Sequence, residues 1–240
     1  MRIKFYLLKF ILLSTTLLSC SKGEFIKDPR FGSISFTNQS LQQINVIEGD
    51  EYKIPTDAAP VSLLAGEHRF RFYDNTELVL DTPLMVDAFS NKNFYVVKTD
   101  KNAALKVFDS GFKDFSSISS PDSGMMKVSF ANFSSLLPKR VNVYITTSHY
   151  QNNTPAEIQV GEFLDVNAEF SDFKVVPIGR GIGATQQNIY TIAVRSPQTN
   201  ELLATSTVNF PRLPGVLALQ YNVYMIYLNG ENNAQILMSK

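Results

Sequence analysis

The middle of this 240-residue chain is written twice. Ser33-Ile34-Ser35-Phe36-Thr37-Asn38-Gln39-Ser40 reads like Lys127-Val128-Ser129-Phe130-Ala131-Asn132-Phe133-Ser134, with four of the eight positions identical. Ile44-Asn45-Val46 then answers to Val141-Asn142-Val143, and Asn75-Thr76-Glu77-Leu78-Val79 to Thr199-Asn200-Glu201-Leu202-Leu203. Each passage closes on an aromatic stretch, residues 94–98 in one and 221–228 in the other. Matches that recur in the same order point to an internal duplication. The chain must therefore adopt a fold that one unit can form twice.

That unit is read as strands. His68-Arg69-Phe70-Arg71-Phe72 alternates polar and apolar residues, the period of a half-buried strand, and Tyr190, Ile192 and Val194 share one face of another. Ala65-Gly66-Glu67 and Tyr73-Asp74-Asn75-Thr76 read as turns, because Gly, Asp and Asn tolerate the backbone angles a turn needs. Helical spacing is unconvincing past the first twenty or so residues. About seven or eight strands per copy favour a sandwich over one open sheet. Two sandwiches in tandem are expected; one merged sandwich is the alternative. Residues 111–124, rich in Ser with Pro and Gly, read as a linker. Phe112, Phe115 and Ile118 are out of place in a solvated linker and suggest packing along one domain.

One strand is apolar on both faces. In residues 221–228, Val223, Met225 and Tyr227 fall on one side and Tyr224, Ile226 and Leu228 on the other. Its outer face calls for a cover, either the other copy or a partner protein, or else a loop or the tether.

The start of the chain has a different character. Arg2, Lys4 and Lys9 make a basic opening, residues 10–18 are mostly apolar, and Leu17-Leu18-Ser19 precede Cys20, the one cysteine. This resembles the lipobox of a bacterial lipoprotein signal peptide. The resemblance implies cleavage before Cys20, lipidation of its thiol, and display on a bilayer. The run is shorter than the roughly 20 apolar residues of a membrane span. Loss of residues 1–19 removes three of the 22 basic residues and none of the 22 acidic ones, leaving a charge of −3. That balance gives no general attraction to nucleic acid. With Cys20 acylated, no thiol is left for a disulfide or a zinc-thiolate site. Eighteen Phe and ten Tyr without Trp suggest sheet cores filled by medium-sized rings.

The second copy looks like the domain-of-unknown-function 4397 family of bacterial envelope proteins. The likeness rests on residues 128–134, Val141-Asn142-Val143-Tyr144, residues 189–195, and residues 221–230, which end in Gly230. The first copy fits more loosely and lacks the terminal glycine. The resemblance implies an all-β chain of two tandem immunoglobulin-like β-sandwiches, lipid-anchored and of the Bacteroidota type. It brings no established reaction or ligand. The boundaries expected are a signal peptide at 1–19, a tether at 20–30, sandwiches at 31–110 and 125–240, and the linker at 111–124.

No catalytic constellation is visible. His68 and His149 stand far apart with no HxxH or HxH spacing, so a metal site lacks converging ligands, and His149 is read as lying in a polar loop. No DxDxDG arrangement or GxSxG elbow occurs, and acids such as Glu162 and Asp165 read as solvated. Gly179-Arg180-Gly181-Ile182-Gly183 has a surface likeness to a phosphate-cradling loop, but no helix follows it. It reads as a hairpin loop with Arg180 at its tip, placed to meet a carboxylate or sulfated sugar. The expectation is a non-enzymatic envelope lipoprotein, without metal or cofactor, acting as a binding, adhesion or assembly module. Its loops 144–156 and 178–188 would form the contact region, with Tyr144, Tyr150 and Arg180 as candidate contacts to a protein or glycan. A carbohydrate-binding accessory of a polysaccharide-uptake system, leaning on Tyr144, Tyr150 or Tyr190, and a structural spacer are the alternatives. The address is the cell envelope, at the outer membrane; Ser21-Lys22-Gly23-Glu24 carries no dense acidic export tag and leans towards the periplasmic side.

Overall fold

The computed structural model describes residues 29–240, except 41, 50, 51, 101, 153, 183, 184, 216, 217 and 232 and the side chains of 113 and 114. Cys20, the signal segment and most of the tether lie outside the described residues. Eight strands come first: β1 (Phe31–Asn38), β2 (Ile44–Glu48), β3 (Tyr52–Ile54), β4 (Val61–Leu64), β5 (Gly66–Asp74), β6 (Glu77–Val86), β7 (Asn91–Val97) and β8 (Lys106–Asp109). A short 3-10 helix (Phe112–Ser117) separates them from β9 (Met125–Asn132), β10 (Val141–Gln151), β11 (Thr154–Val166), β12 (Lys174–Pro177), β13 (Ile189–Arg195), β14 (Leu202–Asn209), β15 (Val223–Leu228) and β16 (Ala234–Ser239).

The two sets are wired identically. The first forms sheets β4-β1-β7-β8 and β3-β2-β5-β6; the second forms β12-β9-β15-β16 and β11-β10-β13-β14. Each pairing recurs eight strands later, including the parallel pairs β1–β7 and β9–β15. The architecture is two all-β sandwiches in tandem. Immunoglobulin constant domains keep their first two strands in one sheet, whereas here β1 and β2 lie in opposite sheets. The likeness to an immunoglobulin is one of layers, not of connections.

The repeated residues have physical tasks. Phe36 sits at the centre of the first core, with ring centroids 5.5, 5.7 and 5.4 Å from Phe70, Phe72 and Phe94. Phe130 takes the same place in the second, 4.8 Å from Phe163. The shared asparagine ends the opening strand in both. Asn38 Oδ1 accepts the Ser40 N–H and its Nδ2 donates to Gln42 O; Asn132 does the same with the Ser134 N–H and Pro138 O. The hairpin asparagines correspond less closely. Asn75 and Asn200 both adopt left-handed backbone (φ 55° and 57°), which Asn tolerates. They are offset by one residue from the sequence match, because the second connection is longer.

Both faces of β15 are buried. Tyr224, Ile226 and Leu228 enter the second core. Val223, Met225 and Tyr227 join a third cluster with Val97 of the first sandwich and Phe115 of the 3-10 helix, against which Tyr95, Phe108, Phe112 and Ile118 also pack. Phe108 stacks on Phe133, centroids 5.8 Å apart. The first copy and the linker thus cover the outer face together. Polar bonds cross the same seam: Thr99 Oγ1 donates to Phe133 O at 2.9 Å and Gln39 Nε2 to Leu237 O at 3.0 Å. Gly230 is pressed against the first sandwich, where a Cβ would stand 2.5 Å from Thr99 O.

Counted along the paired strands, Lys98 occupies in the first copy the place of Gly230 in the second. Its ammonium reaches Asp74 Oδ2 at 2.6 Å, with side chains only 4% and 10% exposed. Removing one member of a buried pair strands the other charge, at a cost of about 3–5 kcal/mol, while an apolar replacement of both is close to neutral. Lys98→Met is therefore expected to lower the urea unfolding midpoint sharply, and Lys98→Met with Asp74→Leu to recover most of the loss.

Candidate functional site

The second sandwich has two ends, one at the seam and one opposite it. At the opposite end β10 and β11 extend as a long hairpin, so most of residues 144–156, expected as a loop, are strand. Cross-strand pairing decides this, with Tyr150 opposite Pro155 and His149 opposite Ala156. Tyr144 and Tyr150 point to the same side of β10, but six residues of strand separate them by roughly 20 Å. They do not form one flat platform.

The connection from β12 to β13 folds onto this hairpin. The Tyr150 N–H donates to Arg180 O at 2.8 Å, the Gly181 N–H to Thr185 O at 2.9 Å, and the Gln187 N–H to Gly179 O at 2.8 Å. The Gly179 N–H donates to the Tyr190 hydroxyl at 3.2 Å. Arg180 and Gln186 bridge antiparallel, the hairpin expected there, but this pairing puts Arg180 at its base and not at its tip; Gly183 lies outside the described residues. Gly179 is a glycine because a Cβ would meet Thr147 Cγ2 at 2.5 Å and Ser148 O at 2.8 Å. The N–H groups of Gly179 and Gly181 are thus engaged within the protein, which leaves no phosphate cradle at these residues. Tyr190 is fully buried, and burial pushes its hydroxyl up to about 12 against the small opposing effect of the Gly179 N–H. It offers no surface for a sugar ring.

Between the hairpin and this connection opens a cleft of about 640 Å³, lined by Met125, His149, Ile158, Ile178, Arg180 and Gln186 among others. His149 falls on the inward parity of β10, in line with Val143, Ile145 and Thr147, and not in a polar loop. Its Nδ1 is buried without a hydrogen-bond partner. Arg180 is exposed at the rim and pairs with no acid among the described residues. Gln186 is already engaged, its Oε1 accepting the Leu219 N–H and its carbonyl accepting from Arg212. The exposed guanidinium of Arg180 thus stands at the rim of a cleft with a part-apolar lining, and His149 Nδ1 is enclosed in its wall. Sequence reasoning singled out Arg180 and placed His149 in a loop, although the alternation of β10 was there to be extended.

A larger cleft of about 750 Å³ lies at the seam, lined by Thr99, Lys106, Asn132, Phe133, Leu137 and Glu169 among others. Its inner polar groups are already engaged, Thr99 and Lys106 across the seam and Asn132 within the second sandwich. Lys106 Nζ donates to Ala168 O at 3.2 Å and stands 4.4 Å over the Phe133 ring. Burial lowers the pKa of that ammonium, opposed by Glu169. Asn132 and Thr99 are spent as described above.

Among the described residues no three His, Cys, Asp or Glu side chains converge as metal ligands. Among these residues, too, no helix is long and apolar enough to cross a membrane. In comparison with known proteins, the chain matches no protein-family model and no curated protein.

His68 is held between two acceptors, Glu48 Oε1 and Leu64 O, each at 2.7 Å. Partial burial disfavours its charge, but the bonds to Glu48 and Leu64 O and the Glu48 charge outweigh it and raise the pKa. A raised folded-state value means stabilisation fully present below the unfolded value of about 6.5 and lost as pH climbs through the folded one. The loss of thermal stability on His68→Gln should accordingly be larger at acidic than at alkaline pH; an equal loss at both would rule out the charged bridge.

Proposed function

We propose that the chain is a lipid-anchored, non-catalytic binding module of the bacterial envelope, and that the cleft opposite the seam receives an anionic group of an envelope partner. The lipobox-like segment ending at Cys20 supports the anchor. Several acyl chains would hold such a protein stably, since each buried CH2 contributes about 0.8 kcal/mol. On the same reading the second sandwich belongs with the 4397 family that it resembles.

The observation that carries the binding role is the exposed guanidinium of Arg180, paired with no acid among the described residues, at the rim of an open cleft that His149 also lines. A guanidinium offers a two-pronged match to a carboxylate or sulfate. The charge and the cleft favour a binding surface over a structural spacer. The buried Tyr190 and the separation of Tyr144 from Tyr150 weigh against a sugar-stacking platform, so the glycan alternative rests on charge. The strands supply a scaffold and the hairpins at its end supply recognition.

The test is binding of the acylated full chain, in detergent, to acidic envelope polysaccharide and to acidic peptides. Arg180→Ala removes a charge-assisted bond worth about 1.5–3 kcal/mol, roughly a tenfold to hundredfold loss of affinity. His149→Leu should weaken the same ligand without lowering the melting temperature, since it removes a buried polar atom that has no partner. A ligand held equally by both variants would place recognition elsewhere.

A further inference from the structure

The first sandwich exposes an apolar corner at the point where the chain enters the fold. Phe31 and Leu64 face each other across β1 and β4 and are 49% and 52% exposed. Phe89, in the connection from β6 to β7, is 85% exposed. Its N–H donates to Phe31 O at 2.8 Å, which sets the three side chains at one corner. Phe89 also has φ 59°, a conformation that a bulky residue rarely takes. The segment is fixed from both sides, with Ser90 Oγ donating to Asp87 O at 2.8 Å and Lys92 Nζ pairing with Asp87 Oδ2 at 2.6 Å. The fold therefore presents a large ring to the outside, on a strained backbone, with no packing among the described residues to account for it.

The place of this corner names its occupant. Pro29 and Arg30 lead straight into Phe31, and the Arg30 carbonyl accepts the Ala65 N–H beside Leu64. Cys20 is eleven residues before Phe31, a span of roughly 40 Å at full extension. A chain acylated at Cys20 is thus confined to within that reach of the bilayer, with this corner as its nearest part along the chain. We infer that Phe31, Leu64 and Phe89 form an interfacial foot that dips into the lipid surface and fixes the orientation of the sandwiches on it. The inference rests on the lipoprotein reading and adds a second, non-covalent contact to the anchor. Aromatic rings are suited to that boundary, where one side of the residue is apolar and the backbone stays wet.

The test uses the acylated chain reconstituted in phosphatidylethanolamine–phosphatidylglycerol vesicles, with an environment-sensitive fluorophore on Phe89→Cys, or on Asn152→Cys at the far hairpin as a control. A quencher carried on the lipid chains should cut emission from position 89 by about twofold or more and leave position 152 unaffected, as an interfacial contact requires. Phe31→Ser combined with Leu64→Ser should abolish the quenching at 89 without releasing the protein from the vesicles. Acyl mass present but no quenching would overturn the foot and leave the anchor standing. Absence of acyl mass would remove the anchor and the foot with it. A blue shift at position 89 that grows with protein concentration in detergent alone would assign the corner to a second copy and overturn the lipid contact.

Discussion

The outer face of β15 governs how this protein is put together. A strand carrying Val223, Met225 and Tyr227 on one side and Tyr224, Ile226 and Leu228 on the other has no side it can give to water. Full burial of side chains of this size is worth about 1.5–3 kcal/mol each. Half of the strand satisfies the second core. The other half needs a cover, which Val97, Phe108 and the 3-10 helix provide. Gly230 then becomes necessary because the backbone of Thr99 arrives where a side chain would otherwise stand. The seam also engages Thr99 and Lys106 of the larger cleft and leaves the opposite end of the second sandwich clear.

Duplication followed by divergence explains the differences between the copies. Asn38 and Asn132 close the opening strand with the same pair of hydrogen bonds, and Phe36 and Phe130 fill the same position in the core. Where the second copy has Gly230 at the seam, the first has Lys98, turned inward to Asp74. The outward faces diverge as well. β1 presents Ser35 and Thr37, bonded to Asn93, whereas the matching β9 presents Ser129 and Ala131, and Ala131 joins the seam cluster. The copies thus differ in what they present to each other more than in how each is built.

Much of this was legible in the sequence. Order-preserving matches gave away the repeat, two-residue alternation showed the strands, and the two-sided apolar pattern of 221–228 announced a covered face. Phe112, Phe115 and Ile118 did mark a linker that packs. The hairpin of β10 and β11 was hidden by polar residues and by Pro155, which argue for a loop. Proline is tolerated because β11 is an edge strand, and that position is a property of the assembled sheet. The pairing of Lys98 with Asp74 was equally out of reach, since it joins the end of β5 to the residue just past β7 and no local spacing links them. The strand position of His149 could be had by extending β10, but not the cleft that the 178–188 connection closes beside it.

If the seam joins the copies as described, the sandwiches unfold together. Differential scanning calorimetry of the full chain tests this most directly. A single transition, with calorimetric and van't Hoff enthalpies in agreement, is the expected result. Two separated transitions, each with the enthalpy of one sandwich, would contradict it.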